Sequence, residues 1–302
     1  MLAAETLGKK IMVPARILGK TGESISTLGF GTAPAGTRLN LKNAVRLYEE
    51  ALNLGVNYFD TAPEFAGYGN AQKQLGFLLK NRRKEVFLVT KCYEPKGDAA
   101  LKLLQRNLRE LQTDYADLVF VHSVGADKMD PKIVFGPQGC YAALMKTKAA
   151  GLTRFVGFSG HNRPGRFVEA LKNFKVDVLL NAVNFADQHT YNFEKQVWPL
   201  ARKIRTGLIA MKVFGGQVKE QQARLSNSLM PKEYLEAAFR YALSQPGVAS
   251  AVIGMATSAE LQQNIKWARN FKPLAPRETA QLRTIGRRLS ERWGSHLGPL
   301  YE

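Results

Sequence analysis

The sequence predicts an α/β fold, a (β/α)8 barrel of the TIM type with an N-terminal β-hairpin and an extra C-terminal helix. Three observations predict it. Short apolar runs alternate with amphipathic stretches from Leu28 onward, eight of each. Strands spaced by helices pair in parallel through right-handed crossovers, and eight such units close a barrel. The runs also stop on polar residues of different kinds, at Asp60, Lys91, His122, Ser159 and Asn181, which would line one rim. Finally, 302 residues at 45% hydrophobic can bury a core of that size as one domain over 1–302. A doubly wound open sheet is the competing architecture.

The lead-in, punctuated by Pro14, Gly19 and Gly22, predicts a hairpin over about 15–27, with extended pieces Ala15 to Leu18 and Ser24 to Thr27 joined by a Lys20-Thr21-Gly22-Glu23 turn. Gly19-Lys20-Thr21 imitates the end of a phosphate loop, but the glycine required five residues earlier is Pro14. Gly29-Phe30-Gly31 imitates a dinucleotide fingerprint, but Pro34 stands where the third glycine would allow close helix packing. Leu41 to Leu54 carries apolar residues at helical spacing and stops at Gly55, which reads as the first amphipathic helix.

Beyond it the reading is strand 56–60, helix 70–81, strand 86–91, helix 98–112, strand 117–122, helix 139–150, strand 155–159 and helix 164–173. Strand 177–181, helix 192–204, strand 207–211, helix 231–244, strand 250–253 and helix 258–269 complete the barrel. Val213 to Met230 lacks periodicity and opens on Gly215-Gly216, so it reads as a mobile rim loop. Glu278 to Trp293 is the extra helix within a C-terminal extension of about 270–302, whose tail is expected to fold back over the barrel mouth.

The net charge of +18 suits an anionic partner, yet no run of five or six consecutive basic residues and no basic–aromatic interleaving marks a nucleic-acid arm. Cys92 and Cys140 alone build neither a disulfide framework nor a thiolate metal cluster, so no metal is expected. No apolar stretch reaches the length of a membrane span, and the early residues hold no signal-peptide core. The expectation is a cytoplasmic protein whose partner is a small molecule, with neither nucleic acid nor membrane.

Strand C-termini face the active site in such a barrel, so Asp60, Lys91 and His122 from consecutive strands converge, with Tyr68 supplied by the intervening loop. A phenol titrates near pH 10, and a neighbouring ammonium is expected to lower it into a useful range for proton transfer. Asp60 would hold the lysine, and His122 would polarise a carbonyl oxygen. Such a set protonates a nascent alkoxide, and the hydride must come from a nicotinamide or flavin. Ser159 and Asn181 could bond a carboxamide, which favours nicotinamide.

The ordered set Leu28-Gly29-Phe30-Gly31-Thr32, Phe59-Asp60-Thr61-Ala62-Pro63, Val89-Thr90-Lys91, Asp114 to Leu118 leading to His122, Gly157-Phe158-Ser159-Gly160, Met211-Lys212 and Val252-Ile253-Gly254-Met255 to Asn264 resembles the aldo/keto reductases. The resemblance runs from about residue 15 to 270. It implies NAD(P)H-dependent reduction of aldehydes or ketones by an Asp60, Tyr68, Lys91, His122 tetrad. It also implies an extended dinucleotide, NADPH with NADH as the alternative, along Gly31, Thr32, Asp60, Ser159, Gly160, Asn181, Met211, Lys212, Val213, Gly215, Ile253, Gly254, Met255, Thr257, Gln263 and Asn264.

The chain departs from the pattern at identifiable places. The family's tyrosine usually follows the aspartate by five residues, where Phe65 stands; Tyr68 instead keeps the spacing to Leu75-Gly76, which reads as an insertion. The usual Ser-Asn pair is Ser159-Gly160, and the usual Gln is Asn181. The adenosine-phosphate segment, often basic, is Met255-Ala256-Thr257-Ser258-Ala259-Glu260, with hydroxyls and an acid. A second reading follows from Phe65: a nucleotide-binding barrel with impaired catalysis, acting as a redox-sensing or regulatory subunit.

Overall fold

Gly22, in the left-handed region at φ 76°, turns the chain between β1 (Ala15–Ile17) and β2 (Ser24–Ser26), which pair antiparallel with Ala15 opposite Ser26. The structure, a computed structural model, describes residues 12–216 and 228–302. Leu18 and Ile25 of this hairpin are fully buried and join the cluster inside the barrel, so the hairpin plugs the end opposite the strand C-termini. A Cβ on Gly207 would stand 2.6 Å from Leu18 Cδ1, so the plug seats only against a glycine.

Eight parallel strands close the barrel: β3 (Leu28–Gly31), β4 (Tyr58–Asp60), β5 (Phe87–Cys92), β6 (Ala116–Val121), β7 (Thr153–Gly160), β8 (Val178–Ala182), β9 (Gly207–Met211) and β10 (Val248–Gly254). They are hydrogen-bonded in that order, with β10 returning to β3. The two-residue period of a strand sends alternate side chains to opposite faces. Tyr58, Phe87, Val89, Leu118, Phe120, Val178, Leu180 and Ile209 therefore fill the interior, while Phe59, Leu88, Val119, Val121 and Leu179 pack outward against the helices.

The helical layer is α1 (Ala33–Arg38), α2 (Leu41–Asn53), α3 (Ala71–Arg82), α4 (Gly97–Glu110), α5 (Pro131–Val134), α6 (Cys140–Ala149), α7 (Pro164–Asn173), α8 (Phe193–Gln196), α9 (Trp198–Lys203), α10 (Leu235–Ser244), α11 (Ser258–Arg269) and α12 (Pro276–Trp293). Their starts are written locally. Asn40 caps α2 through its side chain, Pro164 opens α7, and Thr257 and Glu260 form a capping box on α11. Cys92 and Cys140 are both buried free thiols.

Three departures from the sequence reading have local causes. The single helix expected over 192–204 is two, because Pro199 opens α9 and lacks the amide that would continue α8. Helices α1 and α5 are too short to show a period and were not expected. Of the loop expected over 213–230, residues 217–227 lie outside the described residues.

After α12 the tail does fold back. His296 Nε2 meets Asp187 Oδ1 at 2.9 Å, the Tyr191 hydroxyl donates to Gly298 O at 3.0 Å, and the Arg163 amide donates to Pro299 O at 3.1 Å. Arg166 holds the Glu302 carboxylate through two nitrogens, each at 2.7 Å. A cavity of about 740 Å³ lies beneath this tail, against Phe135, Phe174, Leu300 and Tyr301; none of Asp60, Tyr68, Lys91 or His122 lines it.

Candidate active site

Asp60 ends β4 and Lys91 stands near the end of β5, and both point into the mouth because each is an even number of residues from an interior side chain, Tyr58 and Val89. The Lys91 ammonium donates to Asp60 Oδ1 at 2.6 Å, to Thr61 O at 2.9 Å and to the Tyr68 hydroxyl at 3.0 Å. Its three protons are thereby committed. Both charges are almost sealed from water, Lys91 at 1% and Asp60 at 3% exposure. Two buried charges are tolerated together because each is the other's partner.

Tyr68 sits half-buried beside them. Its hydroxyl donates to Asp60 Oδ1 at 3.0 Å while accepting from Lys91, and the Lys91 nitrogen lies 4.6 Å from the ring centroid. Phe65 is 52% exposed, in a short turn at Glu64–Ala66 ahead of Gly67. The three extra residues thus form an outward turn, and the phenol rather than the phenyl ring meets the lysine. Helix α1 holds this loop: the Asn70 amide donates to Gly36 O at 3.0 Å, and a Cβ on Gly69 would stand 2.6 Å from that same oxygen.

Burial, together with the charge of Asp60 and its hydrogen bond, pushes the Tyr68 phenol well above its ordinary value. This is opposite to the lowering expected from the lysine alone. The carboxylate stands as close to the phenol as the ammonium does, and it holds the proton in place. The resting group is a fully protonated donor. Lys91 is itself shifted down by burial, against the pull of Asp60.

His122 follows β6, and its Nδ1 lies 3.0 Å from the Ser159 hydroxyl at the end of β7. With that hydroxyl donating to Nδ1, Nε2 carries the proton. Burial, with the positive charges of Lys91 and Lys212, pushes His122 well below its ordinary value, so the ring is neutral. His161 is pushed down to about 3 by burial and Lys212, and its Nδ1 is buried without a hydrogen-bond partner among the described residues. A buried carboxyl beyond the rim, Glu194, goes the other way, to about 7.

These shifts set a stability trend. Below pH 6.5 the unfolded chain protonates two histidines that the fold keeps neutral, while between pH 4.5 and about 7 the fold keeps a proton on Glu194 that the unfolded chain loses. The unfolded state binds a net extra proton, so these three groups should lower stability by about 1.4 kcal/mol per pH unit on acidification from 6.5 toward 4.5. Urea unfolding midpoints at pH 6.5 and 5.0 check this; a midpoint that rises on acidification contradicts it.

The residues named for a dinucleotide stand in different surroundings. Gly31 and Gly254 are paired in register, and Thr32 donates its hydroxyl to Asp60 O at 2.9 Å, so these bare strand ends border the acid itself. Val213, Ile253 and Met255 turn their side chains into the outer core, leaving their backbone for any ligand, while Met211 packs against the barrel interior. Asn181 is turned away from the mouth: Trp198 Nε1 donates to its Oδ1 at 3.1 Å, and its Nδ2 donates to Gly160 O at 3.2 Å. Thr257 and Gln263 are exposed, and Asn264 is buried.

Lys212 takes the left-handed conformation at φ 53°, and Gly215 and Gly216 follow at φ 79° and 87°. The ammonium makes no hydrogen bond or ion pair among the described residues, and burial with the charge of Lys91 shifts it downward. A free cation beside glycines after the seventh barrel strand fits the diphosphate of a dinucleotide, since barrels bind phosphate at the loops after their last two strands.

Some supporting residues leave no trace in the sequence. Thr90 donates to Gln72 Oε1 at 2.7 Å, and Asn107 donates to Lys91 O at 3.0 Å. These polar side chains of α3 and α4 clamp β5 from outside, yet in sequence they are ordinary members of amphipathic helices.

The closed parallel barrel thus brings a phenol, an ammonium and a carboxylate into contact at its strand C-termini, the end where barrels of this type carry their active sites. The profile of the Aldo/keto reductase family matches residues 27–234, and the chain belongs to that family. It is 25% identical to L-galactose dehydrogenase of Arabidopsis thaliana over 84% of this chain and 87% of the relative. It is 26% identical to the uncharacterized oxidoreductase YqkF of Bacillus subtilis over 89% of this chain and 95% of that one. An aldo-keto reductase from Bacillus halodurans in its holo form, 24% identical, shares the fold with a TM-score of 0.71, covering 92% of this chain and 96% of its own. The protein is an oxidoreductase of this family, whose members use NAD(P)H. Among the described residues no helix is long and apolar enough to cross a membrane.

Proposed function

We propose that this protein reduces aldehydes or ketones to alcohols with a nicotinamide dinucleotide, Tyr68 being the proton donor. The observation that carries the reading is the Tyr68 hydroxyl, held 3.0 Å from both the Lys91 ammonium and the Asp60 carboxylate at the barrel mouth. Reduced nicotinamide, when bound, supplies the hydride.

The protein's own groups do the rest. A neutral His122 with its proton on Nε2 offers a hydrogen bond to a carbonyl oxygen without competing as an acid. The Tyr68 hydroxyl swings from Asp60 Oδ1 to that oxygen and gives up its proton as negative charge builds there. Lys91 keeps its hydrogen bond to the phenolic oxygen and stabilises the phenolate left behind. Asp60 holds the ammonium in line throughout. Lys212 and the Gly215-Gly216 backbone would hold the diphosphate.

Incubation with NADH or NADPH and a panel of reactive aldehydes tests this. Reduced cofactor should disappear, followed at its near-ultraviolet absorbance, only when an aldehyde is present. Tight binding of dinucleotide with no turnover on any member of the panel would instead support a sensing or regulatory barrel.

A further inference from the structure

The N-terminus of α11 follows the last barrel strand, in the region where barrels frequently bind a phosphate of their ligand. Here that position already carries negative charge. Glu260 Oε2 accepts the backbone amides of Ala256 at 2.7 Å and Thr257 at 3.1 Å, and the Thr257 hydroxyl accepts the Glu260 amide at 3.1 Å. The amides an incoming phosphate would use are therefore taken by the helix's own carboxylate.

A second carboxylate comes from another element. Glu50, on α2, accepts the Ser258 hydroxyl at 2.7 Å and the Gln262 amide at 2.6 Å, both on its Oε1. Its other oxygen has no hydrogen bond, and neither Glu50 nor Glu260 makes an ion pair among the described residues. Two uncompensated carboxylates thus flank the first turn of α11, with an acceptor oxygen to spare.

The two dinucleotides differ at one atom group: NADH has a ribose 2′-hydroxyl where NADPH has a phosphate monoester. A carboxylate accepts a hydrogen bond from a ribose 2′-hydroxyl, whereas a 2′-phosphate calls for a cation. Like charges a few ångströms apart repel even when water screens them. We infer that Glu50, pinned by Ser258 and Gln262 and reinforced by Glu260, makes this enzyme select NADH over NADPH. The inference rests on the dinucleotide reading above. The overall charge of +18 does not reverse it, because selection at one ribose is decided by the groups that face it.

Titration of the tryptophan fluorescence with each reduced dinucleotide gives the two dissociation constants without turnover. NADH should bind at least tenfold more tightly than NADPH at low ionic strength, and the gap should narrow in high salt. Glu50→Gln, a substitution of similar shape on a partly exposed helix face, should shrink the ratio at least threefold, chiefly by tightening NADPH. Equal or tighter binding of NADPH by the unaltered protein overturns the inference, as does a ratio unmoved by Glu50→Gln. Failure of both dinucleotides to bind overturns the cofactor reading as well.

Discussion

Tyr68→Phe is expected to cut the turnover number by about 10² to 10⁴, the usual worth of a positioned proton donor, with dinucleotide affinity unchanged. No neighbour can take over the donation. His122 is neutral, because burial and the surrounding cations hold it far below its ordinary value, and a neutral imidazole is a poor acid. The three protons of the Lys91 ammonium are committed to Asp60, Thr61 and Tyr68. Removing the hydroxyl leaves the ring and its packing in place, so circular dichroism and nucleotide binding should match the parent. Phe65→Ala is the control, since that ring is 52% exposed and makes no ring or cation–π contact among the described residues; it should retain nearly all turnover. Equal activity in Tyr68→Phe and the parent would end the assignment of Tyr68 as donor.

That prediction depends on a placement the sequence left open. The spacing from Tyr68 to Leu75-Gly76 argued for an insertion, but only the packing of the loop on α1 shows why the extra residues bulge outward. Helix α1 was invisible because six residues with Pro, two alanines and a Gly carry no period. The barrel strands were legible for the opposite reason: fully buried parallel strands read as continuous apolar runs, and their polar last residues stand out against them. Side-chain direction was legible at Asp60 and Lys91, which stand an even number of residues from interior Tyr58 and Val89.

Hydrogen-bond partners were not legible. Asn181 stands at a strand end and looks like a rim donor, yet its parity sends it toward Trp198 in the helical layer. Ser159 proves to touch His122, a pairing across 37 residues that no local pattern encodes. The direction of the Tyr68 shift was also misjudged from residue types. A lysine and an aspartate at like distances act with opposite sign, and only coordinates show that the phenol's hydrogen points at the aspartate.

Lys91→Met separates the structural from the chemical role of the ion pair. The substitution keeps an unbranched side chain, one atom shorter, but leaves Asp60, 3% exposed, without its cation, and Asp60 Oδ2 already has no hydrogen bond. Breaking a buried pair from one side typically costs about 3–5 kcal/mol, much of it the penalty for the lone charge. The loss should be full at neutral pH and shrink as acid protonates the stranded carboxylate, so the gap in urea midpoint between variant and parent should narrow on acidification. Replacing both partners removes the lone charge: Lys91→Met with Asp60→Asn should regain most of the lost stability. Turnover should stay low in both variants, because neither retains the ammonium that stabilises the phenolate. A single variant as stable as the parent at pH 7 would show that the pair contributes little to holding the mouth together. A double variant that recovered turnover would show that Tyr68 donates its proton without Lys91.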